Sequence, residues 1–145
     1  IYIRQGRRKE NTMAKIDKLT YVDQAEKVIK SMREKNRNGG YRISLTTSKI
    51  RNILSLVTAI YNQVIHDPNP ELSEDICQEI QYLRLRIIYE AGRDDKDKDV
   101  MKFVKKAELI ENIQSIGKSR EQFLLFCRYM EALVAYHRFY GGRDA

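Results

Sequence analysis

The chain has 145 residues, of which 27 are Lys or Arg and 20 are Asp or Glu, giving a formal net charge of +7. That length supports one domain with a sizeable core and is too short for two ordinary ones. No stretch reaches the ~18 uninterrupted apolar residues of a membrane-crossing helix, and the early run Arg4, Arg7, Arg8, Lys9 and Glu10 leads into polar sequence rather than the apolar core of a secretory signal.

The charge is unevenly spread. Residues 1–51 carry 14 basic against 5 acidic side chains, 52–101 carry 5 against 10, and 102–145 carry 8 against 5. A basic pole beside an acidic belt fits a polyanionic partner, and equally a solvated surface with a basic tail. The chain opens without methionine, and Met13 reads as a plausible natural start. "IYIRQGRRKENT" is therefore either a cloning remnant or a real basic arm. We set residues 1–19 apart as a basic N-terminal arm and take 20–145 as a single helical-bundle domain.

Period-3.6 patterning dominates the rest, and five helices are predicted. Thr20 and Asp23 resemble a capping box opening the first helix, which runs to about Lys35. "NRNGG" breaks it and "YRISL" forms an extended link. Thr46 or Thr47 caps the second helix, to about Ile65. Its Ile50, Ile53, Leu54, Val57, Ile60, Tyr61, Val64 and Ile65 fall within an arc of roughly 140°. Pro68 and Pro70 mark a turn. Ser73 caps the third helix, with Glu74 and Asp75 at its positive end, Ile76, Ile80, Leu83 and Ile87 as its inner stripe and Gly92 at its close. A fourth helical stretch covers about 98–116, bent near Lys106. Ser119 and Gln122 open the last helix as a capping-box pair. The expected fold class is all-α, a compact antiparallel five-helix bundle.

Signals for chemistry are sparse. Asp95, Asp97 and Asp99 resemble the start of a calcium loop, but Val100 stands where glycine and Lys106 where glutamate would be needed. His66 and His137 lack the neighbours of a zinc site, and His137 reads as a hydrogen-bonded core residue. Cys77 and Cys127 sit in helical patterns without CxxC spacing, as reduced core residues of a cytosolic protein do. No nucleophile elbow or phosphate-cradling glycine loop is present, so no catalytic residue, metal ligand or cofactor is assigned.

The cations carry more. Lys49 and Arg51 lie in the first turn of the second helix, where free N–H groups attract anions; they form a phosphate seat or are ordinary surface charges. Arg84 lies at the margin of an apolar stripe and requires a partner, either a carboxylate such as Glu131 or an external phosphate. Arg93 serves the helix C-terminus or a ligand. Arg128 and Arg138 share a flank with Glu131, which offers an ion pair.

Three stretches decide the resemblance: "LTTSKIRN" at 45–52, "YLRLRIIYEAGRD" at 82–94 and "FCRYMEALVAYHRFYGGRD" at 126–144. In order and over most of the chain from Tyr21 to Asp144, they resemble the small subunit of type III-A CRISPR (Csm) effector complexes. The resemblance implies a small helical bundle without enzymatic activity, in the cytoplasm, whose copies stack head to tail beside the crRNA-bound backbone subunits. It also implies contact with the phosphates of the guide–target duplex without sequence reading, with cleavage left to the backbone and signalling to the large subunits. Partners are then crRNA and target RNA, those subunits, and neighbouring copies. On that basis phosphate contacts fall on Lys49, Arg51, Arg84, Arg93 and Arg128, and further on Arg86, Lys105, Lys106, Lys118 and Arg120. Sequence preference is expected to be weak, since no aromatic platform interleaves with these positions.

The last helix is apolar almost all round. Leu124, Leu125, Tyr136 and Phe139 lie on the far side from its core face and are expected to form an assembly interface, unless the helix is central in the bundle and covered internally. The alternative function is a protein–protein spacer that does not touch RNA.

Overall fold

The sixth helix is the axle of the structure. The computed structural model describes residues 16–94 and 96–143; most of the basic arm, together with Asp95, Asp144 and Ala145, lies outside the described residues. Helix α6 (Arg120–Phe139) buries Phe123, Phe126, Cys127, Tyr129, Met130, Leu133 and His137. These positions fall within an arc of roughly 160°, and the partly buried Leu124, Leu125, Ala132 and Tyr136 carry the covered surface beyond it, so neighbours are needed on several sides. Helices α1 (Tyr21–Ser31), α2 (Thr47–Val64) and α5 (Leu109–Gln114) supply them, while α3 (Glu74–Arg93) and α4 (Asp99–Lys106) close the bundle against α2 and α5.

Three predicted caps form. Thr46 Oγ1 accepts from the Lys49 N–H at 3.4 Å, Ser73 Oγ from Ile76 at 3.2 Å and Ser119 Oγ from Gln122 at 3.0 Å. Each hydroxyl satisfies an N–H that the first helical turn leaves without a partner. The fourth, Thr20, does not cap: its side chain makes no such bond, and the backbone of Thr20 and Tyr21 instead donates to Asp17 O. In α2 the expected stripe is buried at Ile50, Ile53, Val57, Ile60 and Val64.

The all-α, antiparallel five-helix expectation needs correcting on three counts. The described chain is mostly helical but has six helices, because the fourth stretch splits at Ala107–Glu108, close to the predicted bend. Glu108 adopts φ +53°, which no helix accommodates, and Ala107 O accepts instead from the Tyr129 hydroxyl at 2.9 Å. Secondly, the first helix stops at Ser31. Arg33–Lys35 (β1) is drawn off to pair antiparallel with Tyr41–Thr46 (β2), and Gly142–Arg143 (β3) joins β2 in parallel. Thirdly, neighbouring helices are not uniformly antiparallel. Gln63–Glu79, Asn52–Glu90 and Lys49–Asp94 contacts set α2 against α3 in opposite senses. By contrast α1 runs in the same sense as α6, with Tyr21 beside Leu124 and Leu125, and Glu26 bonded to Tyr140.

The N-terminal and C-terminal parts of the chain are tied together. Ile16 is buried and its N–H donates to the side-chain oxygen of Asn112, itself buried, at 2.9 Å. His137 Nε2 lies 2.7 Å from Leu45 O, joining α6 to β2. The imidazole is thus the hydrogen-bonded core histidine expected from its position.

Candidate nucleic-acid interface

The start of α2 meets the end of α3 in an open cleft of about 430 Å³ lined by Ser48, Lys49, Asn52, Glu90, Arg93 and Asp94 among others. Two carboxylates organise it. Asp94 Oδ1 accepts from Lys49 Nζ at 2.7 Å, while its Oδ2 accepts the Val100 N–H at 2.9 Å, tying α3 to the first turn of α4. Glu90 Oε1 accepts from Arg93 Nε at 3.0 Å and from Asn52 Nδ2 at 3.3 Å. Burial alone would raise the Asp94 pKa, but the bonds from Lys49 and Val100 outweigh it and hold the carboxyl below its ordinary value. The same bond from Asp94 raises Lys49 against a smaller desolvation effect. Lys49 is therefore engaged internally.

The cleft does not form the expected two-cation seat. Two residues along a helix turn through about 200°, so Lys49, aimed at α3, and Arg51 leave α2 on nearly opposite sides. Arg51 is exposed and has no ion-pair partner among the described residues. Arg84 is half-buried and likewise unpaired; Glu131, the carboxylate considered for it, is exposed and does not meet it. Arg86 lies over the ring of Tyr82, 6.0 Å from its centroid. Lys118 approaches Glu71 at 3.7 Å with both side chains largely exposed, a contact of little energy. Arg120 Nε donates to Asp67 O at 2.8 Å. Arg128 is exposed at the rim of a smaller groove with Lys18, Tyr21, Leu124 and Leu125. Lys105 and Lys106 are exposed on α4. The unpaired arginines thus sit on α2, α3 and α6 and share no single cleft.

Of the apolar residues set apart for assembly, Leu124, Leu125 and Tyr136 are partly buried against the core, whereas Phe139 is 76% exposed. Much of the greasy circumference of α6 is covered internally. A larger uncovered apolar face lies on α3, where Tyr82, Leu85, Ile88 and Tyr89 point away from the buried Ile80, Leu83 and Ile87. The signal for that face was present in "YLRLRIIYE", which has more apolar residues than one stripe can hold.

The β1–β2 hairpin stands where the sequence predicts only a helix end and an extended link. It brings Arg33, Lys35, Arg37 and Arg42 together with Tyr41, so cations and an aromatic ring do interleave there. Asp99, a candidate calcium ligand, is buried and accepts from Ser44 Oγ at 2.8 Å. Among the described residues, no three His, Cys, Asp or Glu side chains are grouped to hold a metal ion, and no helix is long and apolar enough to cross a membrane.

A family model described as Csm2 Type III-A matches residues 19–143. The chain belongs to the Csm2 family. Curated relatives agree. The CRISPR system Cms protein Csm2 of Streptococcus thermophilus is 44% identical over 132 residues, covering 91% of this chain and all of that protein. The Mycobacterium tuberculosis (strain H37Rv) protein of the same name is 41% identical over 124 residues, 86% of this chain and 94% of the relative. That of Enterococcus italicus is 37% identical over 123 residues, 80% and 86% respectively. The resemblance to Csm small subunits, read from three stretches of sequence, is borne out by Csm2 membership over nearly the whole domain.

Proposed function

We propose that this Csm2-family chain is a non-catalytic small subunit of a cytoplasmic type III-A CRISPR effector complex. It lies along crRNA and target RNA, touches their backbone without reading sequence, and stacks with neighbouring copies beside the backbone and large subunits. Family membership supports the assembly; the observation that carries the RNA contact is the set of arginines left without carboxylate partners. Arg51, Arg84 and Arg128 have none among the described residues, and a half-buried guanidinium such as Arg84 gains most from an external anion. Lys49, Arg93 and Arg120 are engaged inside the chain and act mainly by shaping the surface, Arg86 is braced on Tyr82, and Lys118, weakly paired and largely exposed, stays open to phosphate. Phe139 is the exposed member of the proposed stacking surface, with Leu124, Leu125 and Tyr136 behind it.

The test is RNA binding by the triple variant Arg51→Glu, Arg84→Glu, Arg128→Glu. Retained helical circular dichroism, with weaker binding and a shallower dependence of log affinity on log salt, is the expected result. Unchanged affinity would remove these arginines from the RNA surface. The second reading, a protein–protein spacer, is favoured by the exposed α3 face at Tyr82, Leu85 and Tyr89. Assembly that survives the triple charge reversal and fails with Leu85→Asp would support it.

A further inference from the structure

The β1–β2 hairpin carries a cluster of positive charge around an aromatic ring. Residues 33–42 contain four Lys or Arg side chains and a single acid, Glu34. The strand register decides which of them work together. Lys35 stands directly opposite Tyr41, and Arg33 opposite Ile43, so these four share one face of the hairpin. Glu34 and Arg42 share the other face, where Arg42 Nη2 donates to Glu34 Oε1 at 3.3 Å. The one acid is thus committed away from Tyr41.

On the Tyr41 face the ring is braced. The Arg33 guanidinium carbon lies 4.5 Å from the Tyr41 centroid and 5.3 Å from that of Tyr140. Tyr140 is in turn fixed by its hydroxyl, which donates to Glu26 Oε2 at 2.6 Å. Arg33 Nε is buried without a hydrogen-bond partner among the described residues, and the two rings flank the guanidinium. Although Arg33 lies over it, Tyr41 remains 52% exposed. Lys35, the strand partner of Tyr41, and Arg37, in the connecting loop, are exposed and unpaired among the described residues.

We infer that the hairpin tip is a stacking platform for an unpaired nucleobase of single-stranded RNA, with Tyr41 as the ring and Lys35 and Arg37 taking the flanking phosphates. An exposed ring among unpaired cations is what sequence-tolerant single-strand binding requires, since every base offers a π-face and every nucleotide a phosphate. A paired strand keeps its bases inside the duplex and would use the cations alone. Along β2, Tyr41 lies about 17 Å from the α2 N-terminus, so the platform is separate from the cleft at Lys49. The inference rests on the proposed RNA contact and adds to it a base contact at residues outside that set.

The experiment measures the complete chain by fluorescence anisotropy against three probes of equal length: an unstructured single-stranded RNA, an RNA duplex, and an abasic single strand. Tyr41→Leu should weaken single-strand binding by roughly 5- to 150-fold and leave the duplex and abasic probes within about twofold, with Tyr41→Phe restoring the loss. Lys35→Gln with Arg37→Gln should weaken all three and reduce the salt dependence. Circular dichroism and melting of each variant identify any loss due to unfolding, in which case Tyr41→Thr, a β-branched residue suited to a strand, supplies the test with the ring removed and the same selective loss expected. Equal binding by Tyr41→Leu and the parent chain would overturn the platform alone, as would an equal loss on the abasic strand. A Tyr41→Leu variant that binds RNA normally yet leaves the effector complex would overturn it in favour of a protein partner. A parent chain that binds none of the probes, alone or assembled, would overturn both this inference and the RNA contact beneath it.

Discussion

The imidazole of His137 fills the space in which a side chain at position 142 would have to stand. A methyl group built on Gly142 falls inside that ring, against Cε1, Nδ1 and Nε2, while Nε2 is held at 2.7 Å from Leu45 O. The ring cannot retreat without breaking the bond that joins α6 to β2. Gly142→Ala should therefore destabilise the chain by about 1–3 kcal/mol, read as a fall in urea midpoint. In a His137→Ala background the same change should cost almost nothing, and a full penalty there would show that the clash lies elsewhere.

Cys127 is buried, and desolvation, with a smaller contribution from Glu131, pushes its thiol up from 9.0 to about 12. Its folded-state pKa is raised, so its contribution to stability is complete below the unfolded value and is lost as pH rises from about 9 towards 12. Urea midpoints between pH 8 and 10.5 should fall, less steeply in Cys127→Ala. The residual slope should include Tyr129, whose phenol burial also raises. At pH 8, Cys127 should resist thiol reagents until the chain unfolds.

Asp94 works in the opposite direction. Its lowered folded pKa contributes stability that is present above the ordinary value of 3.8 and lost as pH falls through the lower folded value. Asp94→Ala removes both the Lys49 contact and the acceptor for Val100, and should cost about 1–2 kcal/mol at neutral pH. Asp94→Asn keeps an acceptor for the Val100 N–H and should recover part of that. The acid limb of the stability curve should be shallower in both variants.

Leu133 and Phe139 lie on the same helix and should behave differently. Leu133 is fully buried, so Leu133→Ala should lower stability by about 2–5 kcal/mol. Phe139 is 76% exposed, so Phe139→Ala should stay within about 0.5 kcal/mol of the parent while impairing incorporation into the complex. A large melting loss for Phe139→Ala with normal incorporation would remove it from the assembly surface.

The caps at Thr46, Ser73 and Ser119 were legible because capping is a local matter of three residues, and the buried stripe of α2 because its period is unbroken over five turns. The sheet was not. β1 has three residues and β3 two, too few for alternation to register, and "NRNGG" read as a helix breaker rather than a hairpin loop. The engagement of Lys49 was out of reach because Asp94 is forty-five positions away. For Arg51 the warning was available: two cations at i and i+2 cannot share one side of a helix. The α3 face at Tyr82, Leu85 and Tyr89 is legible in composition, because the segment holds more large apolar residues than its buried stripe of Ile80, Leu83 and Ile87 uses.

The bonds from Ile16 to Asn112 and from Leu45 to His137, with β3 laid along β2, set an order of events during synthesis. The opening third of the polypeptide has no finished surface to settle on until its closing residues have left the ribosome. While translation continues, the exposed edge of β2 and the apolar side of α1 need shelter from chaperones or from nascent neighbours.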